Sequence, residues 1–251
     1  MCYHAAQARN VRILERRYNV KRTDLFDIRD DDCTAHHFNG FAHPDMLFIP
    51  QESKEELIPG MWGIMPHNQL ASKQNEYYKE IARVGGGLNA KCESAFDHFI
   101  YKHSIMERRC IIPLSGFFEP HKHNGTPYPF YFGAKDEDLL SVAGIYSLTR
   151  DGAVTFTMFT KEASPFFSKI HNSKNRDGQY RQIVLLDKEL EKEWLRDDLN
   201  EKHIEELFNV QYDDELLTAH PVSRDIFSRS IDSNRSDIKE YVEHPDLKGV
   251  F

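Results

Sequence analysis

The stretch Cys110-Ile111-Ile112-Pro113-Leu114, followed directly by Ser115-Gly116-Phe117-Phe118-Glu119-Pro120, opens the region whose patterning decides the fold. From Arg109 to Thr160, short runs rich in β-branched and aromatic residues recur at Cys110–Leu114, Phe117–Phe118, Pro129–Phe132, Leu140–Tyr146 and Val154–Phe159. Gly, Asn, Asp and Pro separate them, and such close spacing favours antiparallel pairing, because a parallel crossover needs a much longer connection.

Outward from this region, Met46–Ile49 and Gly60 to Pro66 read as further short strands, with the rest of Phe38 to Pro50 as loop. Helical spacing marks Val11, Ile13 and Leu14 within Arg9 to Tyr18. It also marks Tyr77, Tyr78, Ile81 and Val84 within Lys73 to Val84, where Gly85-Gly86-Gly87 ends the pattern. Toward the C-terminus, Gln182 to Leu186 is one more apolar strand. Asp187 to Phe208 then turns helical, with Leu190, Trp194, Leu195 and Leu199 on one side, followed by Ile204, Leu207 and Phe208. With no internal repeat and no Gly/Ser/Pro-rich linker, residues 1–251 read as a single α+β domain, a mainly antiparallel β core with peripheral helices.

The composition, 40% hydrophobic and 29% charged, supplies a sizeable core and excludes a disordered chain. The net charge of −8 argues against a broadly basic surface for duplex DNA or anionic membrane. Its placement refines that inference. Residues 187–215 hold 12 acidic and 4 basic side chains, the whole of the excess, so this helical segment is expected on the rim, facing away from any nucleic-acid groove. Between Tyr101 and Ile183 the balance is 11 basic to 8 acidic, with His103, His121, His123 and His171 in addition, which leaves room for a single-strand groove. No apolar run approaches the ~18 residues of a membrane span, and Met1-Cys2-Tyr3-His4 runs straight into a charged segment. A cytoplasmic protein with no membrane partner is expected. Four cysteines without a CxxC pair are a poor basis for disulfides or zinc, so no metal or other cofactor is expected.

Cys2 is the most unusual residue. Removal of Met1 would leave a thiol and a free α-amine on adjacent carbons, both partly nucleophilic near neutral pH. That pair matches an aldehyde, the amine forming an imine and the thiol closing a five-membered ring. Three further segments join it: Leu88-Asn89-Ala90-Lys91-Cys92-Glu93-Ser94, Arg108 to Pro120, and Lys169-Ile170-His171-Asn172. Together with Met1-Cys2, Trp62-Gly63-Ile64-Met65-Pro66 and the closing His220-Pro221-Val222-Ser223, their order and spacing resemble the SOS-response-associated peptidase (SRAP) family, the abasic-site-processing proteins.

The resemblance implies the SRAP fold with its barrel-like β core. It implies a protein, expected to be monomeric, that senses abasic sites in single-stranded DNA and forms a thiazolidine crosslink through a mature N-terminal cysteine. Peptidase self-removal of the residue before that cysteine is implied as well, and a lyase activity is left open. In the cell, such a cytoplasmic protein would be nucleoid-associated when bound to DNA. Carried over residue by residue, the catalytic candidates are Cys2 as nucleophile, Glu119 as acid/base carboxylate, His171 as the family histidine and Asn89 as the positioning asparagine. These types suit the chemistry: imine formation needs a proton removed from the amine and one given to departing water. Glu119 sits in an apolar Phe-Phe-Glu-Pro setting, His171 could assist opening of the closed sugar, and Asn89 would orient by neutral hydrogen bonds.

DNA-contact candidates are Lys91 and Arg181 for phosphate, Trp62 as a stacking platform or a core residue, and Asn39 and His37 at the groove's edge. His4 stands where relatives commonly carry arginine and joins them. Asn68 lies where a tryptophan is usual, Pro120 replaces the tryptophan after the glutamate, and Ser173 to Tyr180 is an extra stretch after His171. Two rival activities compete: a Cys-His hydrolase using Cys110 or Cys92 with His171, and a metal module of His36, His37, His121 and His123. A third reading is a family member that binds single strands without crosslinking.

Overall fold

The computed structural model describes residues 2–136 and 139–250. In chain order the first half holds β1 (His4–Gln7), α1 (Val11–Tyr18), β2 (Lys21–Arg22), β3 (Ala35–Asn39), β4 (Asp45–Pro50), β5 (Glu56–Trp62), α2 (Gln74–Ile81) and β6 (Asn89–Lys91). The β-rich centre follows as β7 (Arg109–Leu114), β8 (Gly116–His123), β9 (Thr126–Ala134), β10 (Leu140–Leu148) and β11 (Val154–Glu162). The chain ends with α3 (Pro165–Ile170), β12 (Arg181–Ile183), β13 (Leu185–Leu186), α4 (Lys188–Trp194), α5 (Glu201–Asn209) and β14 (Leu217–Pro221).

Five strands close a barrel in the order β5-β4-β7-β10-β11 and back to β5. Every pairing is antiparallel except the last, where β11 runs parallel to β5 through Thr155↔Met61 and Phe156↔Trp62. Alternation along each strand splits the apolar residues between two cores. Met46, Phe48, Ile112, Val142, Phe156 and Met158 join one cluster, while Leu47, Ile49, Ile111, Ala143 and Phe159 join another that α1, α4 and α5 cover. With both faces buried, β4 and β7 read in the sequence as the apolar runs Met46–Ile49 and Cys110–Leu114.

A second, wholly antiparallel sheet has the order β14-β9-β8-β1-β3 and shares the first cluster through Phe117, Phe130 and Phe132. The α+β class with a mainly antiparallel, barrel-like core and peripheral helices is therefore the observed architecture. The hairpin β8–β9 turns at Asn124-Gly125, both at positive φ (48° and 82°), the geometry that matches the right-handed twist of its strands.

Several elements depart from the sequence reading. The strand expected over Gly60 to Pro66 lies earlier, because Gly63 at φ 134° turns the chain out of the sheet. The helix expected from Asp187 to Phe208 is two helices, each with its own capping side chain, Asp187 and Asn200. Both bury their apolar faces in the helix-covered cluster, through Trp194, Ile204 and Phe208, whereas Cys2 belongs to the other cluster. Among the described residues no helix is long and apolar enough to cross a membrane.

Candidate active site

Strand β1 is short and poor in β-forming residues, so its place is set by partners. It pairs with β8 through Ala5↔Phe117 and with β3 through Ala5↔Phe38. The buried Gln7 amide fixes it further, donating to Leu47 O at 2.9 Å and Pro113 O at 2.7 Å and accepting from Leu47 N at 2.9 Å. All three partners lie on barrel strands, so one fully satisfied side chain docks β1 onto the barrel. At its head Cys2 is fully buried, and its Sγ donates to His4 O at 3.5 Å. Burial, and after it the charge of Glu119, push the thiol well above the ordinary cysteine range, so it is held as the thiol.

Glu119 stands on β8 opposite Phe130 and is 3% exposed. His171 ends α3, a helix capped by Ser164, whose Oγ accepts from Phe167 N, and begun by Pro165. Two side chains pin that helix end to β8. His121 Nδ1 donates to Ile170 O at 2.8 Å, and Asn172 brackets Lys122, accepting from its N–H at 2.8 Å and donating to its carbonyl at 2.9 Å. The result is His171 Nδ1 at 3.3 Å from Glu119 Oε2, within ion-pair range but without hydrogen-bond geometry. Burial lowers the His171 pKa while Glu119 raises it, and burial prevails.

Asn89 arrives from the other side. After the Gly85–Gly87 turn, β6 runs parallel to β11 with Asn89 opposite Met158. Its Nδ2 donates to Cys2 O at 2.7 Å, an orientation the carbonyl acceptor dictates, and its buried Oδ1 has no partner among the described residues. A buried thiol, a carboxylate–imidazole pair and an amide with a spare acceptor thus meet at the head of β1, a set fit for nucleophilic and proton-transfer chemistry.

The SOS response associated peptidase (SRAP) family matches residues 1–229. The chain is a member of the SRAP family. Among its relatives, abasic site processing protein YoaM of Bacillus subtilis is 28% identical over 183 residues, covering 71% of this chain and 73% of that one. Abasic site processing protein YoqW of the same organism is 27% identical over 221 residues, covering 80% and 91%. The crystal structure of a protein from Bacteroides thetaiotaomicron superposes with a TM-score of 0.80 at 26% identity, covering 96% of this chain and all of that one.

In this SRAP protein the candidate DNA contacts differ in what holds them, with His4, His37 and Asn39 side by side on β1 and β3. Trp62 is fully buried and its Nε1 donates to Leu88 O at 2.9 Å, so it is a core residue with no face free for stacking. Arg181, 1% exposed, grips Glu93 with both terminal nitrogens, at 2.5 and 2.9 Å, and Thr160 O at 2.6 Å. A bidentate pair of this kind leaves no guanidinium for phosphate. Lys91 is ion-paired with Asp177 and 40% exposed. Asn39 is exposed, and its side chain accepts from Phe41 N at 3.1 Å. His4, half-buried, shares a hydrogen bond of 2.9 Å with His37 Nε2, and His37 Nδ1 meets Ser233 Oγ at 2.6 Å.

Of the rival nucleophiles, Cys110 is buried in the barrel cluster, and burial pushes its thiol far up; Cys92 packs against the helix-covered cluster and is shifted the same way. Among the described residues no three His, Cys, Asp or Glu side chains are grouped to hold a metal ion. The sequence reading missed three positioning residues, Gln7, His121 and Asn172. Only Asn172 carried a signal, its place directly after the candidate histidine.

Proposed function

We propose that this SRAP protein processes abasic sites in single-stranded DNA by forming a covalent thiazolidine through Cys2 once Met1 is removed. The observation that carries the reading is the Cys2–Asn89 hydrogen bond beside the Glu119–His171 pair in a chain of this family. The α-amine nitrogen attacks the aldehyde carbon of the ring-opened sugar, giving a carbinolamine. Loss of one water leaves an imine. The sulfur then adds to the same carbon, the C=N π electrons pass to nitrogen, and the thiol proton ends there.

Glu119 takes a proton from the attacking nitrogen and returns one to the departing hydroxyl, and His171 hydrogen-bonds the sugar oxygen to favour the open aldehyde. Asn89 holds the Cys2 carbonyl, and with it the amine, on the line of attack. The amine acts first and sulfur second, because the ring closes only when sulfur adds to the imine carbon that the amine has made. The same constellation removes the residue preceding Cys2, the peptidase activity. Strand cleavage from the imine, a lyase reaction, competes with ring closure. The working unit is a monomer acting in the cytoplasm, on the nucleoid when bound to DNA, with the acidic segment 187–215 on the side away from the strand.

The test is incubation with a single-stranded oligonucleotide carrying one abasic site. A heat- and detergent-resistant protein–DNA band is expected, absent with the intact oligonucleotide. Absence of that band with both substrates rejects the proposal in favour of a non-crosslinking binder or a hydrolase.

A further inference from the structure

The extra stretch after the His171 motif is an organised turn. Asn175 Oδ1 accepts from Asp177 N and Gln179 N, each at 2.9 Å, and Asn175 N donates to Gln179 O at 2.8 Å. Two contacts tie the turn to the segment that carries Asn89: Asp177 ion-pairs with Lys91, and Arg176 Nη2 donates to Arg83 O at 2.9 Å. Arg83 precedes the glycine turn and Lys91 follows Asn89, so the stretch bridges both ends of the segment that delivers the positioning amide.

Tyr3, the neighbour of the candidate nucleophile, lies against the same rim. Its hydroxyl is 3.5 Å from where a Cβ on Gly85 would stand, and its ring packs tilted against Phe41, with centroids 4.8 Å apart and 35° between the ring planes. Phe41 is 47% exposed and Val84 67%, an apolar surface beside two exposed arginines. The Arg176 charge reaches the Tyr3 hydroxyl, partly offsetting the burial and the Glu119 charge that push it up to about 12. Exposed aromatic surface flanked by guanidinium groups is the chemistry that holds single-stranded nucleic acid, base on ring and phosphate on arginine.

We propose that Arg176 and the Phe41–Tyr3 ring pair seat the nucleotide flanking the abasic site, with Arg176 on its phosphate and Phe41 under its base. Lys91, engaged by Asp177, anchors the turn. This assignment rests on the reading of Cys2 as the nucleophile, since that reading puts the damaged sugar beside Tyr3.

The test measures binding of intact single-stranded oligonucleotide by fluorescence anisotropy over a range of salt, a readout independent of crosslinking. Arg176→Ala is expected to weaken binding about three- to tenfold and to lower the slope of log affinity against log salt by about 0.7, the value of one phosphate contact on a single strand. Arg176→Lys should restore the slope. Phe41→Ala should weaken binding at least fivefold, roughly the value of one stacked base, without changing the slope. Both side chains are exposed, so thermal unfolding should change little, with Arg176→Ala losing only the surface hydrogen bond to Arg83 O. An unchanged slope in Arg176→Ala overturns the assignment. If the binding and its slopes are as predicted yet the parent protein forms no heat-stable adduct with abasic DNA, the Cys2 reading fails and Arg176 and Phe41 remain a seat for a single strand that no longer flanks a damaged sugar.

Discussion

The side-chain amide of Asn89 donates to the carbonyl oxygen of Cys2 at 2.7 Å, and its buried oxygen is left without a partner among the described residues. This bond ties β6, a strand of the barrel sheet, to the first residues of the other sheet. Asn89→Ala is expected to slow adduct formation at saturating DNA about 10- to 100-fold by releasing the orientation of Cys2. One neutral hydrogen bond is lost, so urea unfolding should move by only ~1 kcal/mol. Asn89→Asp should be slower still, because a carboxylate cannot donate to the carbonyl it would face.

Asn172 acts one step further from the chemistry. Its two hydrogen bonds to the Lys122 backbone pin the end of α3 against β8 and so set the spacing of His171 from Glu119. Asn172→Ala is expected to cut the rate about tenfold and to move the acidic limb of its pH profile to higher pH, since burial is the larger influence on His171 and the loosened helix end would admit solvent to it. Rates measured from pH 5 to 8 check this. A purely structural role would lower the rate without moving the limb.

Gln7 is a stability residue of the site rather than a chemical one. Gln7→Leu removes three buried hydrogen bonds and strands the N–H and carbonyl of Leu47 and the carbonyl of Pro113. A loss of about 3 kcal/mol is expected, roughly 6–12 °C in Tm for a chain of this size. Thermal unfolding measures it directly.

The same residues show what the sequence discloses. Strands β7 and β10 are legible because both their faces are buried, which leaves apolar runs such as Ile111-Ile112 and Val142-Ala143, and β11 is legible by its β-branched and aromatic content, Val-Thr-Phe-Thr-Met-Phe-Thr. Strand β1 was not, because His-Ala-Ala-Gln has no alternation of its own and is held by Gln7 and two neighbouring strands. The Asn124-Gly125 turn carried a legible signal and fixes the hairpin on which Glu119 sits. In the site, motif order brought out Cys2, Asn89, Glu119 and His171, but not which basic residues are free. Arg181 reads as available in the sequence, whereas Glu93, 88 positions away, holds it in the structure. Trp62 was ambiguous for a related reason: a Trp-Gly-Ile strand reads alike whether the indole faces a groove or, as here, the core.

His37 gives the protein a defined sensitivity to acid. Burial, and after it the neighbouring His4, hold its pKa down to about 3 against an ordinary 6.5. Below about pH 6.5 the unfolded chain takes up a proton that the folded protein refuses. Stability present above that pH is therefore lost as the pH falls, by about 2 kcal/mol at pH 5 from this one group. His4, His43, His98 and His171 are shifted in the same direction. Chemical unfolding of His37→Gln at pH 5 and pH 7 should show a gap between the two pH values smaller by about that amount. An unchanged gap would mean that His37 is protonated in the folded protein.

The central claim is that Cys2 is the residue joined to DNA, through both its amine and its sulfur. Intact-mass spectrometry of the adduct with an abasic single strand tests it most directly. The account predicts a species equal to the protein lacking Met1 plus the oligonucleotide minus one water, and none from Cys2→Ala. An adduct that retains Met1, or one formed equally well by Cys2→Ala, would contradict it.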